Sequence, residues 1–142
     1  MLGRDEIRRL IPHGGTMCLL EEVLAWDAGA ITCRSASHVA PDNPLARDGR
    51  VGALGGLEYC LQAMAVHGAL VAEARQPVGY VVRLGDVALD GGYLDELGDA
   101  VVVRAELVQA LPAGYAYAFS LSGGAPGAAP AIRGRATIAL IG

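Results

Sequence analysis

Charge is scarce in this chain. Only 18% of the residues are charged, the net charge is −4 and the sequence pI is about 5.2. There is no block of like charges, no lysine-rich tail and no interleaving of aromatic with basic residues. A nucleic-acid role therefore has no electrostatic support. Met1–Leu10 lacks the apolar stretch of a signal peptide, and no apolar run reaches the roughly 18–20 residues of a membrane span. Those absences predict a soluble, cytoplasmic chain that does not bind membranes. Three cysteines, Cys18, Cys33 and Cys60, are an odd number without CxxC spacing. They are not matched by histidines or carboxylates at zinc-ligand spacing, so buried free thiols are expected and no metal or other cofactor.

What is present is apolar. Hydrophobic residues make up 53% of 142 residues, enough for one compact domain spanning residues 1–142. Apolar spacing predicts a short helix over Arg4–Leu10, ended by Pro12 and Gly14-Gly15. Met17–Trp26 reads as a strand and Ile31–Ser37 as its hairpin partner, with Ile31, Cys33 and Ser35 on one face. Val39–Arg50 is a loop. Ala53–Arg75 runs without proline and is apolar nearly all round, the mark of a buried helix. Four strands follow: Val78–Leu84, Ala100–Val108, Tyr115–Leu121 and Ile132–Ile141. There is no internal repeat. Antiparallel strands with one apolar helix give an α+β fold in which the sheet wraps the helix, the hot-dog arrangement. Its open edge would be protected by pairing across a dimer.

Few residues offer chemistry. Glu58 lies within Gly52-Ala-Leu-Gly-Gly-Leu-Glu-Tyr-Cys-Leu-Gln62. A carboxylate on a buried helix is costly unless paired or neutral, and burial would favour its protonated form, which suits a general acid. Gln62, one turn later, would orient it. The alternative is that Glu58 occupies an exposed strip. Gly49, Gly52, Gly55 and Gly56 surround the helix start. There, free N–H groups and the helix dipole would hold a developing oxyanion, or the glycines serve close packing. His13, in Ile11-Pro-His-Gly-Gly-Thr-Met17, sits in a loop and is a candidate base. His38, at the end of the second strand, is another, whereas His67 reads as structural.

Leu10-Ile-Pro-His-Gly-Gly-Thr-Met-Cys-Leu-Leu-Glu-Glu-Val23 resembles the N-terminal motif of the 3-hydroxyacyl-ACP dehydratases. Leu57-Glu-Tyr-Cys-Leu-Gln-Ala-Met-Ala65 resembles their central-helix motif. The resemblance runs on through Gly79-Tyr-Val-Val-Arg-Leu-Gly-Asp-Val87 and Gly134-Arg-Ala-Thr-Ile138, and is nearest to the divergent branch of aryl polyene biosynthesis clusters. It implies a hot-dog homodimer that removes water from a 3-hydroxyacyl thioester on an acyl carrier protein or CoA. Glu58 would be the catalytic acid, and Gly52-Ala53 would stand where a Pro-Gly pair serves the thioester carbonyl. The usual loop histidine is missing: Pro44 occupies its place. His13 is then the implied base, with His38 behind it, while Ala53, Leu54, Gly52 and Gln62 bind substrate.

Two further functions stay open at this level. One is a thioesterase that uses Glu58 and Gln62. The other is a non-catalytic acyl-binding subunit paired with an active dehydratase in a heterodimer. Arg47, Arg50, Arg83, Arg133 and Arg135 are candidates for a docking patch for an acidic carrier protein.

Overall fold

The computed structural model describes residues 2–11, 15–74, 79–90 and 92–140. A first helix, α1 (Arg4–Leu10), is followed by strands β1 (Glu22–Trp26) and β2 (Ala30–Ser35). The long helix α2 (Gly56–Ala72) comes next, entered through a 3-10 turn at Ala53–Gly55. Four strands complete the chain: β3 (Gly79–Leu89), β4 (Val101–Leu111), β5 (Gly114–Gly123) and β6 (Ile132–Leu140). They form one sheet in the order β1-β2-β4-β5-β6-β3, antiparallel at every pairing.

Alternation decides which face meets α2. Ile31, Cys33 and Ser35 of β2 are buried, and the register sets Ile31 opposite Ala105 and Cys33 opposite Val103. Val103 in turn faces Leu121, and Ala105 faces Phe119. Paired residues share a face, so one surface of the sheet is continuously apolar. Tyr59, Cys60, Ala63, Met64 and Val66 of α2 pack on it to form the core. Each such fully buried side chain contributes on the order of 1.5–3 kcal/mol for the larger residues. Burial pushes the Cys33 thiol up to about 12 and the Cys60 thiol higher, so both stay protonated. All three cysteines are free and buried, as expected.

Several expected boundaries shift, including the fourth strand, which runs on to Leu111. Met17–Trp26 is not one strand: a 3-10 turn covers Gly15–Met17 and the ladder begins only at Glu22. Leu19 is instead held by side chains, which takes its peptide out of regular pairing. The third strand extends to Leu89 because bulges at Val81/Arg83 and Gly85/Ala88 re-phase it against β6. The helix ends at Ala72, where Glu73 turns left-handed (φ 56°) and its N–H bonds back into the last turn. Pro12, Gly14, Arg75–Val78, Gly91 and Ile141, which entered the expected boundaries, lie outside the described residues.

His67 is structural, as its position suggested. It is buried, with Nε2 2.8 Å from the Asp27 carbonyl and Nδ1 2.8 Å from the Tyr117 hydroxyl. A carbonyl only accepts, so Nε2 donates, and in the neutral ring Tyr117 donates to Nδ1. Tyr117→Phe keeps the volume but strands that nitrogen. It is expected to cost about 1–2 kcal/mol, measured as a lower urea midpoint at unchanged slope.

Candidate active site

The helix start is built by contacts between distant segments. Val51 O accepts from Leu94 N (2.8 Å), and Ala53 N donates to Gly92 O (3.0 Å). Arg50 makes two 2.8 Å hydrogen bonds to Asp95 and lies 3.8 Å over the Tyr93 ring. The segment after β3 is thus laced to the residues that open α2. The Arg50 hydrogen bond holds the Asp95 carboxyl below the usual carboxylate range. A group depressed in the fold contributes stability above its unfolded value and loses it as pH falls through the folded one. The lacing is therefore expected to stay intact down to about pH 4 and to loosen below it. The Arg50 Nε–H resonance would report this, and Asp95→Asn should lack the transition.

These contacts separate the glycines. Gly55 and Gly56 are packing residues: a Cβ on Gly55 would sit 2.7 Å from Val51 Cγ1, and one on Gly56 3.0 Å from Ile132 Cγ2. Gly49 turns the chain at φ 77°. Gly52 has nothing within 4 Å of its Cβ direction, so the backbone there is open to approach. The Ala53 N–H is already taken by Gly92. Leu54, exposed at 61%, follows in the first helical turn, where N–H groups have no intrahelical acceptor.

Glu58 departs from expectation. It lies on the first turn of α2 but is exposed, not buried, and it makes no hydrogen bond or ion pair among the described residues. The apolar run around it hid a strip of the helix that this chain leaves uncovered. Gln62 does not orient it either. Gln62 is buried and bonds the N-terminal segment: Oε1 accepts from Leu19 N (2.9 Å) and Nε2 donates to Met17 O (2.6 Å).

Leu19 is held from its other side as well. The Ser35 and Ser37 hydroxyls both lie 2.6 Å from its carbonyl. Tyr59 OH bonds Ser37 Oγ at 2.8 Å and accepts from Asn43 Nδ2 at 3.0 Å. Sequence reasoning passed over this network, because its four polar side chains come from three separate segments. Its effect is to fix the stretch after the Pro-His-Gly-Gly sequence against the turn of α2 that follows Glu58. His13 itself lies outside the described residues. His38 is buried, and its Nε2 donates to Gly98 O (2.7 Å). It is therefore tied to the Leu94–Leu97 turn, and no hydrogen bond or ion pair links it to Glu58.

A sequence profile of the ApeP-like family, described as ApeP dehydratase, matches residues 5–110. The chain belongs to the ApeP-like dehydratase family. That match takes in the Pro-His-Gly-Gly sequence, the laced helix start and Glu58. Solved structures agree on the hot-dog fold. A chain of the dehydratase heterocomplex ApeI:P from Xenorhabdus doucetiae superposes with a TM-score of 0.79 at 18% identity, covering 96% of this chain and 91% of that one. Zebra fish thioesterase superfamily member 2 gives 0.68 at 14% identity, covering 99% and 100%. AziG from S. sahachiroi gives 0.64 at 8% identity, covering 91% and 98%. No curated protein matches the sequence. Among the described residues there is no cluster of metal ligands and no helix long and apolar enough to cross a membrane.

Proposed function

We propose that this ApeP-like chain dehydrates a 3-hydroxyacyl thioester, borne on an acyl carrier protein, to the 2-enoyl thioester of a fatty-acid or polyene pathway. The observation that carries this reading is the position of Glu58. It is an exposed carboxyl, unpaired among the described residues, on the first turn of α2, close in sequence to the open backbone at Gly52 and the first-turn N–H of Leu54. The thioester carbonyl docks at those amides. His13 takes a proton from C2, and the amides and helix dipole stabilise the enolate-like charge. Protonated Glu58 gives its proton to the C3 hydroxyl, which leaves as water. The proton on His13 then returns to Glu58, and the pair is reset.

A second hot-dog subunit completes the site in this reading. Strand β3 is an edge of the sheet, and its α2-side residues Val81, Leu84, Val87 and Leu89 are all 40% exposed or more. An apolar edge of that kind calls for a cover. The same cover would enclose Glu58 and raise the energetic worth of its contacts. A second copy of the chain satisfies this requirement. So does an active dehydratase partner, as the ApeI:P heterocomplex illustrates for a similar protein.

The products test the reaction. Given a 3-hydroxyacyl thioester on its carrier, with and without a partner dehydratase, the chain is expected to yield an enoyl product with the thioester intact. Free carrier thiol without enoyl would mean a thioesterase instead. No product in either setting would leave an acyl-binding subunit.

A further inference from the structure

The arginines suggested by sequence as one patch divide: Arg83, Arg133 and Arg135 share one face of the sheet, and Arg50 lies apart from them. Arg50 is engaged by Asp95 and Tyr93, at the helix start. Arg83 and Arg135 meet elsewhere, on the sheet face that points away from α2. Register puts Gln109, Ala116, Thr137 and Arg83 in one row across β4, β5, β6 and β3. Arg135 stands in the next row, opposite Gly85. The two arginines are thus diagonal neighbours, about 7–8 Å apart at the backbone.

Neither makes an ion pair among the described residues. Like charges set so close on a sheet repel, and here they do so in a chain whose net charge is −4. Between them lies a depression of about 300 Å³. Its floor is made low by Gly85 and Ala116, and its walls by Arg83, Arg135, Gln109 and Thr137. Bulges at Leu107/Gln109 of β4 and on both sides of Arg83–Gly85 in β3 frame it. Bulges re-aim side chains, and three around one hollow make a shaped site. Asp86 and Val108 also line it. Glu106 and Glu22 are further acids of this face; Ala118 separates Glu106 from Arg135, and Glu22 is paired with Arg34.

We infer that this hollow is a binding site for a phosphate monoester. The two guanidiniums grip the phosphate oxygens, and Thr137 and Gln109 supply neutral donors. Paired guanidiniums match phosphate geometry and keep their charge at any physiological pH. The volume is roughly ten times the share of one water, more than a bare phosphate fills. The remainder, beside the half-exposed Val108, takes the organic part of the ester. Asp86 opposes the dianion and keeps binding weak enough to be reversible. The site is independent of the dehydration reading. A subunit added at the β3 edge extends the sheet in its own plane and leaves this face open.

Titration of the intact protein with phenyl phosphate and with inorganic phosphate, by calorimetry at fixed ionic strength, tests the inference. Saturable binding of phenyl phosphate is expected, with inorganic phosphate weaker. Arg83→Gln and Arg135→Gln should each weaken it by about tenfold or more, the worth of a charge-assisted hydrogen bond. Asp86→Asn should tighten it, while Arg104→Gln, on the same face but outside the hollow and bonded to Thr32, should leave it unchanged. All four are exposed, so folding is not at stake. Equal affinity for the two phosphates would assign the site to the free ion and overturn the monoester. Absence of saturation, or wild-type affinity in both arginine variants, would overturn the site itself.

Discussion

Glu58→Gln is expected to lower kcat/KM for dehydration by about 10²–10⁴-fold, the usual contribution of a positioned acid. The melting temperature should not move. The carboxyl is exposed and makes no hydrogen bond or ion pair among the described residues, so its loss breaks no contact among them. That pairing of a large kinetic effect with no change in stability separates a residue that works on substrate from one that holds the fold. The amide keeps the size and the hydrogen-bonding ends but cannot give up a proton. If catalysis survived with the amide, Glu58 would be a binding group at most. Turnover and thermal melting of the same preparation are the two measurements required.

Gln62→Leu is expected to act through the fold. The leucine fills much the same space but leaves the buried Leu19 N–H without its partner and removes the donor to the carbonyl of half-exposed Met17, which water can still reach. A stranded buried group costs about 1–3 kcal/mol and the solvent-reachable one less, so a loss of roughly 2–3 kcal/mol is expected, read from urea unfolding. That is a large part of the stability of a domain this size, about 5–15 kcal/mol. Activity should fall with it, because the segment set free follows directly on the Pro-His-Gly-Gly sequence. Gln62→Glu is the informative companion. In conditions that keep it protonated it retains the acceptor for Leu19 and offers an O–H to Met17 in place of the amide N–H, so its cost should be the smaller of the two.

Much of this architecture is legible in the sequence, wherever the signal is local. Helix α1 begins and ends where its apolar spacing and the following proline and glycines place it. The inward faces of β2 and β5 follow from strict alternation, and the burial of most of α2 from a run with few polar residues. The errors occur where distant segments decide. The exposure of Glu58 was hidden because apolarity counted around one helix says nothing of which strip the sheet leaves bare. Gln62 has an attractive neighbour one turn away, yet its bonds are to Met17 and Leu19, 45 and 43 residues back. The Ala53 amide seemed free because its acceptor, Gly92, comes from the far side of β3. The buried set of Ser35, Ser37, Asn43 and Tyr59 was invisible for the same reason: it becomes a network only when two segments and the helix converge on Leu19. Family likeness added what local physics lacks, a reason to join His13 and Glu58 in one reaction.

One isotope measurement tests the central claim that Glu58 serves dehydration. The chain, with and without an added dehydratase, is incubated in heavy water with a 3-hydroxyacyl thioester on a carrier, and the bound acyl group is analysed by mass spectrometry. The account predicts an intact thioester with an enoyl fraction and deuterium at C2 of the hydroxyacyl fraction formed by the reverse reaction; in Glu58→Gln the thioester stays intact but the enoyl and the deuterium are lost. Release of the carrier thiol without deuterium at C2, or identical labelling by wild type and Glu58→Gln, would contradict it.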